Sequence, residues 1–473
     1  MSLARSLSWT RFAAVFLEVA RGPEGDQAWY ADEREQIERA WGWVSETNDD
    51  PALVVDYVRT FNRFLEQYGA LDDIVRWGRR GMEAAMASGD RRSYAMIVGS
   101  VGGACADLGE LAGAIGLHQE AIQAMQELHD QQGECDGLVN LAAAHYRLGE
   151  HPIAVEIYGR ALLIAREVGD QESEANCLGN MGLAHADLGE VDRAVELFEE
   201  ALALDRQRKN QSGEGSTLGN LAGILLRRGD FIGAASRYWD ALQIAHKLDN
   251  RMMQTRCLLG MGTSYHQIGE VDAAVNFFER ARELAQKTGD RRSEGEAVGN
   301  LGATHQRRGN HHQALTYYEQ RLRIARTIGD RRGEGSALSN IAAAYRSIGE
   351  MQAALARCEE ALVVAYVIGD RRGEAIRKRH LGSIHASLGE VPRALALFEE
   401  ALALSRSMGN RHEEANTLWE MGLARESVGQ YQEAIRCMQE AIEYRRGASV
   451  AGVDDDIQHF EALRDRANRK RPG

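Results

Sequence analysis

Set out in rows of 40 residues, this sequence aligns with itself without gaps from about residue 91 to residue 447. A fixed period of this kind marks an array of small units that cannot each bury an apolar face and must therefore stack on one another. A glycine recurs at Gly109, Gly149, Gly189, Gly229, Gly269, Gly309, Gly349, Gly389 and Gly429, each followed by an acidic or amide residue. Five positions later an alanine returns, at Ala114, Ala154, Ala194, Ala234, Ala274, Ala314, Ala354, Ala394 and Ala434, as expected where two helices pack closely. A second break, Gly-Asp or Gly-Asn, stands at Gly89, Gly169, Gly289, Gly329, Gly369 and Gly409. Each row therefore holds two helices.

Glycine ends a helix at little cost because it tolerates the left-handed conformation, and the Asp or Asn after it can accept hydrogen bonds from the free N–H groups of the next helix. Thus Gly329 closes one helix and Asp330 opens another. Glu334, with Glu134, Glu174, Glu214, Glu294, Glu374 and Glu414, puts negative charge near that helix start, where the macrodipole favours it. Only 5 prolines occur in 473 residues, and alanine, leucine, glutamate and arginine dominate, so the chain is expected to be all-α.

The net charge of −14 argues against a general nucleic-acid role, since phosphate affinity comes from accumulated Lys and Arg. Six cysteines lie far apart without a C-x-x-C pair, which suggests neither a zinc site nor a disulfide framework and fits a reducing, cytoplasmic setting. The apolar stretch around Phe12 to Leu17 is followed directly by Glu18 and reads as part of an amphipathic helix, not a signal peptide. No run approaches the ~20 apolar residues that a membrane span requires, so a soluble protein is expected.

Between the breaks the apolar residues keep helical spacing, as in Leu178, Met181, Gly182 and His185 of one helix and Ala194, Phe198, Ala201 and Leu202 of the next. With rows such as Leu338, Ile341, Ala342, Tyr345, Gly349, Ala354 and Ala361, the sequence resembles the tetratricopeptide repeat. The resemblance implies a right-handed superhelical solenoid of antiparallel helix pairs, whose first helices line a concave groove. Two departures are visible: the initial aromatic is usually Leu, and the terminal Pro is replaced by about six more helical residues, the longer 40-residue variety of the repeat. Nine repeats span residues 91–447. A degenerate tenth covers 51–90, where Tyr68-Gly69 and Ser88-Gly89-Asp90 keep the period and Trp77 and Gly81 lie in the second helix. Residues 1–50 are expected to form a helical cap, with helices at about 6–20 and 28–46 carrying Trp9, Trp29, Trp41 and Trp43. Residues 448–473 should hold a capping helix from Asp454 to Asn468 and a basic tail, Arg469-Lys470-Arg471.

Catalytic signatures are missing: there is no phosphate loop, no nucleophile elbow and no H-E-x-x-H. Gly213-Glu214-Gly215-Ser216 falls where the first turn of a helix belongs and lacks a lysine. No enzyme and no cofactor are expected. His145, His185, His305 and His385 share one repeat position, but equivalent helices lie on the order of 10 Å apart, too far for a common metal, and half-buried packing residues are the expected role. The acid pairs Glu199-Glu200 and Glu399-Glu400 fit a solvated outer face.

Asparagine recurs at one first-helix position, at Asn140, Asn180, Asn220, Asn300 and Asn340, although it is a poor residue in mid-helix. Its amide offers the donor and acceptor that an extended peptide presents in alternation, but bonds to a neighbouring repeat's backbone would equally explain it. In the spindle-orientation adaptors of the Pins type, whose 40-residue repeats resemble these, inner-face asparagines hold bound peptides. Here the position three residues later carries Ala143, Leu183, Gly223, Ala303 or Ala343 where those adaptors often have a second asparagine. Helical spacing adds Tyr146, Arg147, Arg227, His266, Gln267, Arg307 and Arg346 to the same face. Together with Arg228 and Arg308 the arginines suggest a basic middle of the groove suited to an acidic peptide, or charges that are simply solvated. The pairs Arg291-Arg292, Arg331-Arg332 and Arg371-Arg372 sit at helix starts, where cations are mildly unfavourable; an external purpose or ion pairs with glutamates would account for them.

The stretches Phe16 to Ala20 and Trp29 to Trp41 resemble the segment that links the ATPase to the repeat sensor in bacterial STAND regulators. That resemblance implies a sensor domain, without the nucleotide switch itself. Two readings follow: a scaffold or sensor arm that holds a protein or peptide in the groove, and an inducer-sensing domain that binds a small molecule. The oligomeric state is left open.

Overall fold

The computed structural model describes residues 3–22, 25–46, 50–447 and 453–469. Among them every regular element is an α-helix, and the chain divides into two compact units, Met1–Asp230 and Phe231–Gly473. The first unit opens with α1 (Leu3–Arg21) and α2 (Gln27–Glu46), then the hairpin of α3 (Pro51–Gln67) and α4 (Leu71–Ser88). It continues through α5 (Arg91–Asp107), α6 (Leu111–Glu127), α7 (Gln131–Arg147), α8 (His151–Val168), α9 (Gln171–Asp187), α10 (Val191–Gln207) and α11 (Gln211–Arg228). The second unit contains α12 (Phe231–Lys247), α13 (Arg251–Ile268), α14 (Val271–Thr288), α15 (Arg291–Arg307), α16 (His311–Thr327) and α17 (Arg331–Ile348). It ends with α18 (Met351–Val367), α19 (Arg371–Ser387), α20 (Val391–Ser407), α21 (Arg411–Ser427), α22 (Tyr431–Gly447) and α23 (Val453–Arg469). Lys470 and Arg471 of the basic tail, and the side chain of Trp9, lie outside the described residues.

The turns follow from short-range hydrogen bonding. Gly349 has φ +91°, its N–H donates to the Arg346 carbonyl, and the Glu350 N–H reaches back to the Tyr345 carbonyl, which together close α17. Asp330 accepts from the Gly333 N–H at 2.9 Å and Asp290 from Ser293 at 3.0 Å, so the first helix of each pair is capped as the sequence suggests. The acids before second helices, among them Glu150, Glu190 and Glu390, make no such cap. Their carboxylates instead meet Nδ1 of His145, His185 and His385 at 2.6, 2.6 and 2.8 Å, which gives three of the four recurrent histidines a structural partner. The fourth, His305, stacks on Tyr317 with ring centroids 5.3 Å apart. His129, Lys209 and Asp249 stand where other rows have glycine and still take positive φ, so the array imposes the turn even on residues that disfavour it.

Within a hairpin, packing depends on a close approach of ring to backbone. A Cβ at Gly302 would lie 2.6 Å from the Tyr318 ring, and one at Gly382 2.6 Å from Phe398. Where the second-helix partner shrinks to Cys358, the facing position becomes Ala342. The glutamates of the first turn do more than complement the helix dipole. Glu334 is 5% exposed and receives Arg326 Nε at 2.7 Å, across the turn between repeats, and Arg331 Nη1 at 2.9 Å. The same clasp joins Arg166 to Glu174, Arg206 to Glu214 and Arg406 to Glu414. Burial would raise the Glu334 carboxyl, but these hydrogen bonds outweigh it and hold it below its usual value.

The N-terminal end of the first unit is an aromatic core. Trp41 stacks on Trp77 at 4.6 Å, Tyr30 stacks on Phe64 at 5.0 Å, and the buried Tyr57 hydroxyl donates to the Ile37 carbonyl at 2.9 Å. At the other end of the chain, α23 buries Leu463 against Ala434 and Met438. Inside each unit successive first helices touch: α3 with α5 and α7 with α9, then α13 with α15 and α19 with α21. Successive second helices do not approach as closely, which makes the first helices the inner wall of each unit.

Candidate binding face

Asn140, Asn180 and Asn220 lie on the inner wall of the first unit, in α7, α9 and α11, and Asn300 and Asn340 lie on that of the second, in α15 and α17. Asn140 and Asn340 are exposed and the other three half-buried. Among the described residues none of these five side chains has a hydrogen-bond partner within the protein, so bonds to a neighbouring repeat's backbone do not account for them. Asn180 and Asn220 open into one depression of about 430 Å³, shared with Asn176, Ser212, Ser216 and Thr217. Beneath it Asp205 is buried and accepts from the Thr217 hydroxyl at 2.9 Å; burial pushes its carboxyl above the usual value. Asn140 borders a second depression, of about 450 Å³, with Met96, Ser100, Asp107 and Asp136.

The charged candidates behave differently from the amides. Arg147 donates to Asp107 at 2.9 Å and Arg227 to Asp187 at 2.9 Å, each reaching back to the preceding first helix. Tyr146 also donates to Asp187, at 2.6 Å. Burial would raise the Asp187 carboxyl, but the bonds from Tyr146 and Arg227 outweigh it and hold it low. In the second unit Arg307 donates to the His266 carbonyl, and His266 Nδ1 lies 3.1 Å from the Thr304 hydroxyl. Arg228 pairs with Asp192 at 3.3 Å, and Arg308 pairs with Asp272. The basic middle expected from the sequence is thus largely neutralised by inter-repeat staples, because Arg227, Arg228, Arg307 and Arg308 each find an acid or carbonyl one repeat behind. Arg346 and Gln267 remain exposed without a hydrogen bond or ion pair.

The amide row is interrupted in the second unit. At Gly260 the ring of Tyr238 occupies the space a side chain would take, with the hypothetical Cβ 2.3 Å from it. At the next break, His380 follows Arg377, Lys378 and Arg379, three cations at positions where other rows carry small or apolar residues. Lys378 is 9% exposed and bonds Glu400 at 2.7 Å, while Arg379 bonds Glu413 at 2.5 Å. Burial, then the nearby Arg379, Arg346 and Arg377, push the His380 imidazole down to about 3 and keep it neutral. Sequence reasoning missed this cluster; comparing residues 377–380 row by row was the signal that could have revealed it. Among the described residues no group of three or more His, Cys, Asp or Glu side chains could hold a metal ion, and no helix is long and apolar enough to cross a membrane.

Stacked antiparallel hairpins whose first helices form the inner wall of each unit define a helical-repeat protein. The sequence profile of the tetratricopeptide repeat matches residues 134–207, 214–287, 293–365 and 374–447, more than half of the chain, and the chain belongs to that family. No curated protein matches it. Among solved structures it is similar to the quorum sensor NprR from B. thuringiensis, in its apo form, with 14% identity and a TM-score of 0.53 over 76% of this chain and 99% of that one. It is also similar to the Signal Transduction ATPase with Numerous Domains protein PH0952 from Pyrococcus horikoshii, which has a tetratricopeptide repeat sensor. There the identity is 13% and the TM-score 0.50, over 82% of this chain and 55% of that chain, so this chain spans about half that protein's length. At these identities the likeness is one of fold.

Proposed function

We propose that the protein is a cytoplasmic scaffold or sensor module that holds extended protein or peptide segments against the inner wall of the first helices within each unit, through Asn140, Asn180 and Asn220 in the first and Asn300 and Asn340 in the second. The observation that carries this reading is the contrast on that wall: the arginines at 147, 227 and 307 are engaged within the protein, whereas all five amides are left with both donor and acceptor free. A buried or half-buried amide gains most from a partner that can both accept and donate, as a peptide backbone does. Likeness in fold to a quorum sensor and to a repeat-bearing signalling ATPase supports a role in signalling, related to STAND-type regulators. Arg346 and Gln267 would contact a segment held on the inner wall of the second unit.

The test is affinity capture with the intact chain and with a variant in which Asn180, Asn220, Asn300 and Asn340 are all alanine, followed by quantitative mass spectrometry. Loss of one defined partner in the variant, with an unchanged melting temperature, is the expected result; equal capture by both proteins sinks the reading. The depression of about 430 Å³ at Asn180 and Asn220 favours a second reading, a small polar inducer, because it falls within the size range of ligand pockets. A ligand that co-purifies with the wild type, survives dialysis and is lost in Asn180→Ala/Asn220→Ala would select that reading.

A further inference from the structure

The paired arginines at the helix starts divide into two kinds. Arg291 and Arg331 bond Glu294 and Glu334 of their own helices, at 2.6 and 2.9 Å. Arg292 and Arg332, one residue later, are exposed and make no ion pair or hydrogen bond. At the same repeat position in the first unit Arg92 bonds Asp130, the cap of the next first helix, at 2.6 Å, and Gln132 bonds Asp170 at 2.7 Å. In the second unit those cap aspartates are taken from inside. Arg321 lies 3.8 Å from Asp330 and Arg377 lies 3.9 Å from Asp370, so the outer arginines are left over.

Arg292, Arg331 and Arg332 line an open depression of about 480 Å³, with Ile328, Ile368 and Asp330. Most acids nearby are committed to other groups, although Glu296, one turn along α15 from Arg292, is exposed and unpaired. Asp330 caps α17, and Glu334 is held by Arg326 and Arg331. Arg372, exposed and equally without a partner, extends the row by one more repeat. A chain of net charge −14 thus carries an edge on which the unpaired arginines Arg292, Arg332 and Arg372 outnumber unpaired acids such as Glu296. Neighbouring helices pack about 8–10 Å apart, and an extended chain advances about 3.3–3.6 Å per residue, so carboxylates roughly three residues apart would match successive arginines.

We infer that this edge of the second unit is a docking strip for an acidic, extended segment of a partner protein, held by Arg292, Arg332 and Arg372 and flanked by Ile328 and Ile368. It lies at the helix starts, about two turns before Asn300 and Asn340 on the same helices. Exposed ion pairs are individually weak and screened by salt, so the strip supplies steering and register more than tight binding.

The experiment is fluorescence anisotropy of labelled deca-glutamate against the full chain at low salt. Wild type is expected to bind, and Arg292→Glu/Arg332→Glu to weaken binding by about tenfold or more, since like charges now face each other. Arg292→Gln/Arg332→Gln, which removes the charges without adding acids, should show a smaller loss and covers the case in which the reversal fails to fold. Two further proteins separate the surfaces: Arg193→Glu/Arg251→Glu, with the same net charge as the reversal, and Asn180→Ala/Asn220→Ala are both expected to bind like wild type. Absence of binding by the wild type, an equal loss in the Arg193→Glu/Arg251→Glu control, or tighter binding of a ten-nucleotide oligothymidylate at the same salt would overturn the proposal.

Discussion

The first and second units are made from the same repeat, yet they differ in how they manage charge and aromatic surface. The first joins successive repeats with polar bonds, from Arg92 to Asp130, Arg147 to Asp107 and Arg227 to Asp187, and its N-terminal end is filled by Trp41, Tyr57, Phe61 and Trp77. The second draws cations inward, with Arg377 and Lys378 8% and 9% exposed, and leaves Arg292, Arg332 and Arg346 outside without partners. An identical backbone plan therefore does not fix a common surface. Which arginine is free depends on whether an interior one has already claimed the acid.

This comparison can be broken most directly at the aromatic end. Trp77→Ala should cost the first unit about 3–5 kcal/mol, as large aromatic truncations do, with no offsetting loss of a hydrogen bond, because its indole N–H has no partner among the described residues. Urea unfolding followed by fluorescence and by circular dichroism should then separate into two transitions, the first unit melting earlier; one coincident transition with an unchanged midpoint would refute the contrast.

The next effect belongs to the second unit and to pH. His380 is held neutral down to about 3, whereas in the unfolded chain it protonates near its ordinary value of 6.5. The unfolded state therefore takes up a proton first as pH falls, and stability should drop by about 1–2 kcal/mol between pH 6.5 and 5. His380→Asn, which restores the amide of the repeat, should flatten that slope. Denaturant midpoints at the two pH values check it, and an unaltered slope in the variant would exclude His380 as its source.

A smaller difference should separate two equivalent glutamates. Glu334→Gln breaks a clasp to Arg326 and Arg331 and should cost about 1 kcal/mol; Glu374→Gln should cost less, because Tyr366 stands where the clasp arginine would be and only Lys378, 3.0 Å away, is lost. The sign with pH is the same as for the histidine, although here folding favours the charged form. The Glu334 carboxyl is depressed in the folded state, so its contribution is present above about its ordinary 4.5 and fades as pH falls through the lower folded value. Equal losses in the two variants, read from melting temperatures at neutral pH, would show that the cross-turn arginine contributes nothing.

Much of the fold was legible in the sequence because its signals are short-range. A glycine stop, an Asp or Asn cap three residues from its donor and an apolar residue every third or fourth position act within one or two turns, so the expected helices near 6–20 and 454–468 appear as Leu3–Arg21 and Val453–Arg469. The inner-wall positions of the asparagines were legible for the same reason, since helical spacing places them. Their lack of partners was not, nor was the neutralisation of Arg147, Arg227 and Arg307.

The sequence by itself determined the period, the turns, the caps and the face on which each residue lies. Only the tertiary structure decided which of those residues remain available to a ligand. The physical reason is distance along the chain: the partners of Arg147 and Arg227 lie 40 residues away, and the acid that Arg292 lacks is held by Arg321 from another helix. Such competition for one carboxylate is settled by packing across repeats, where no local pattern of residues records the outcome.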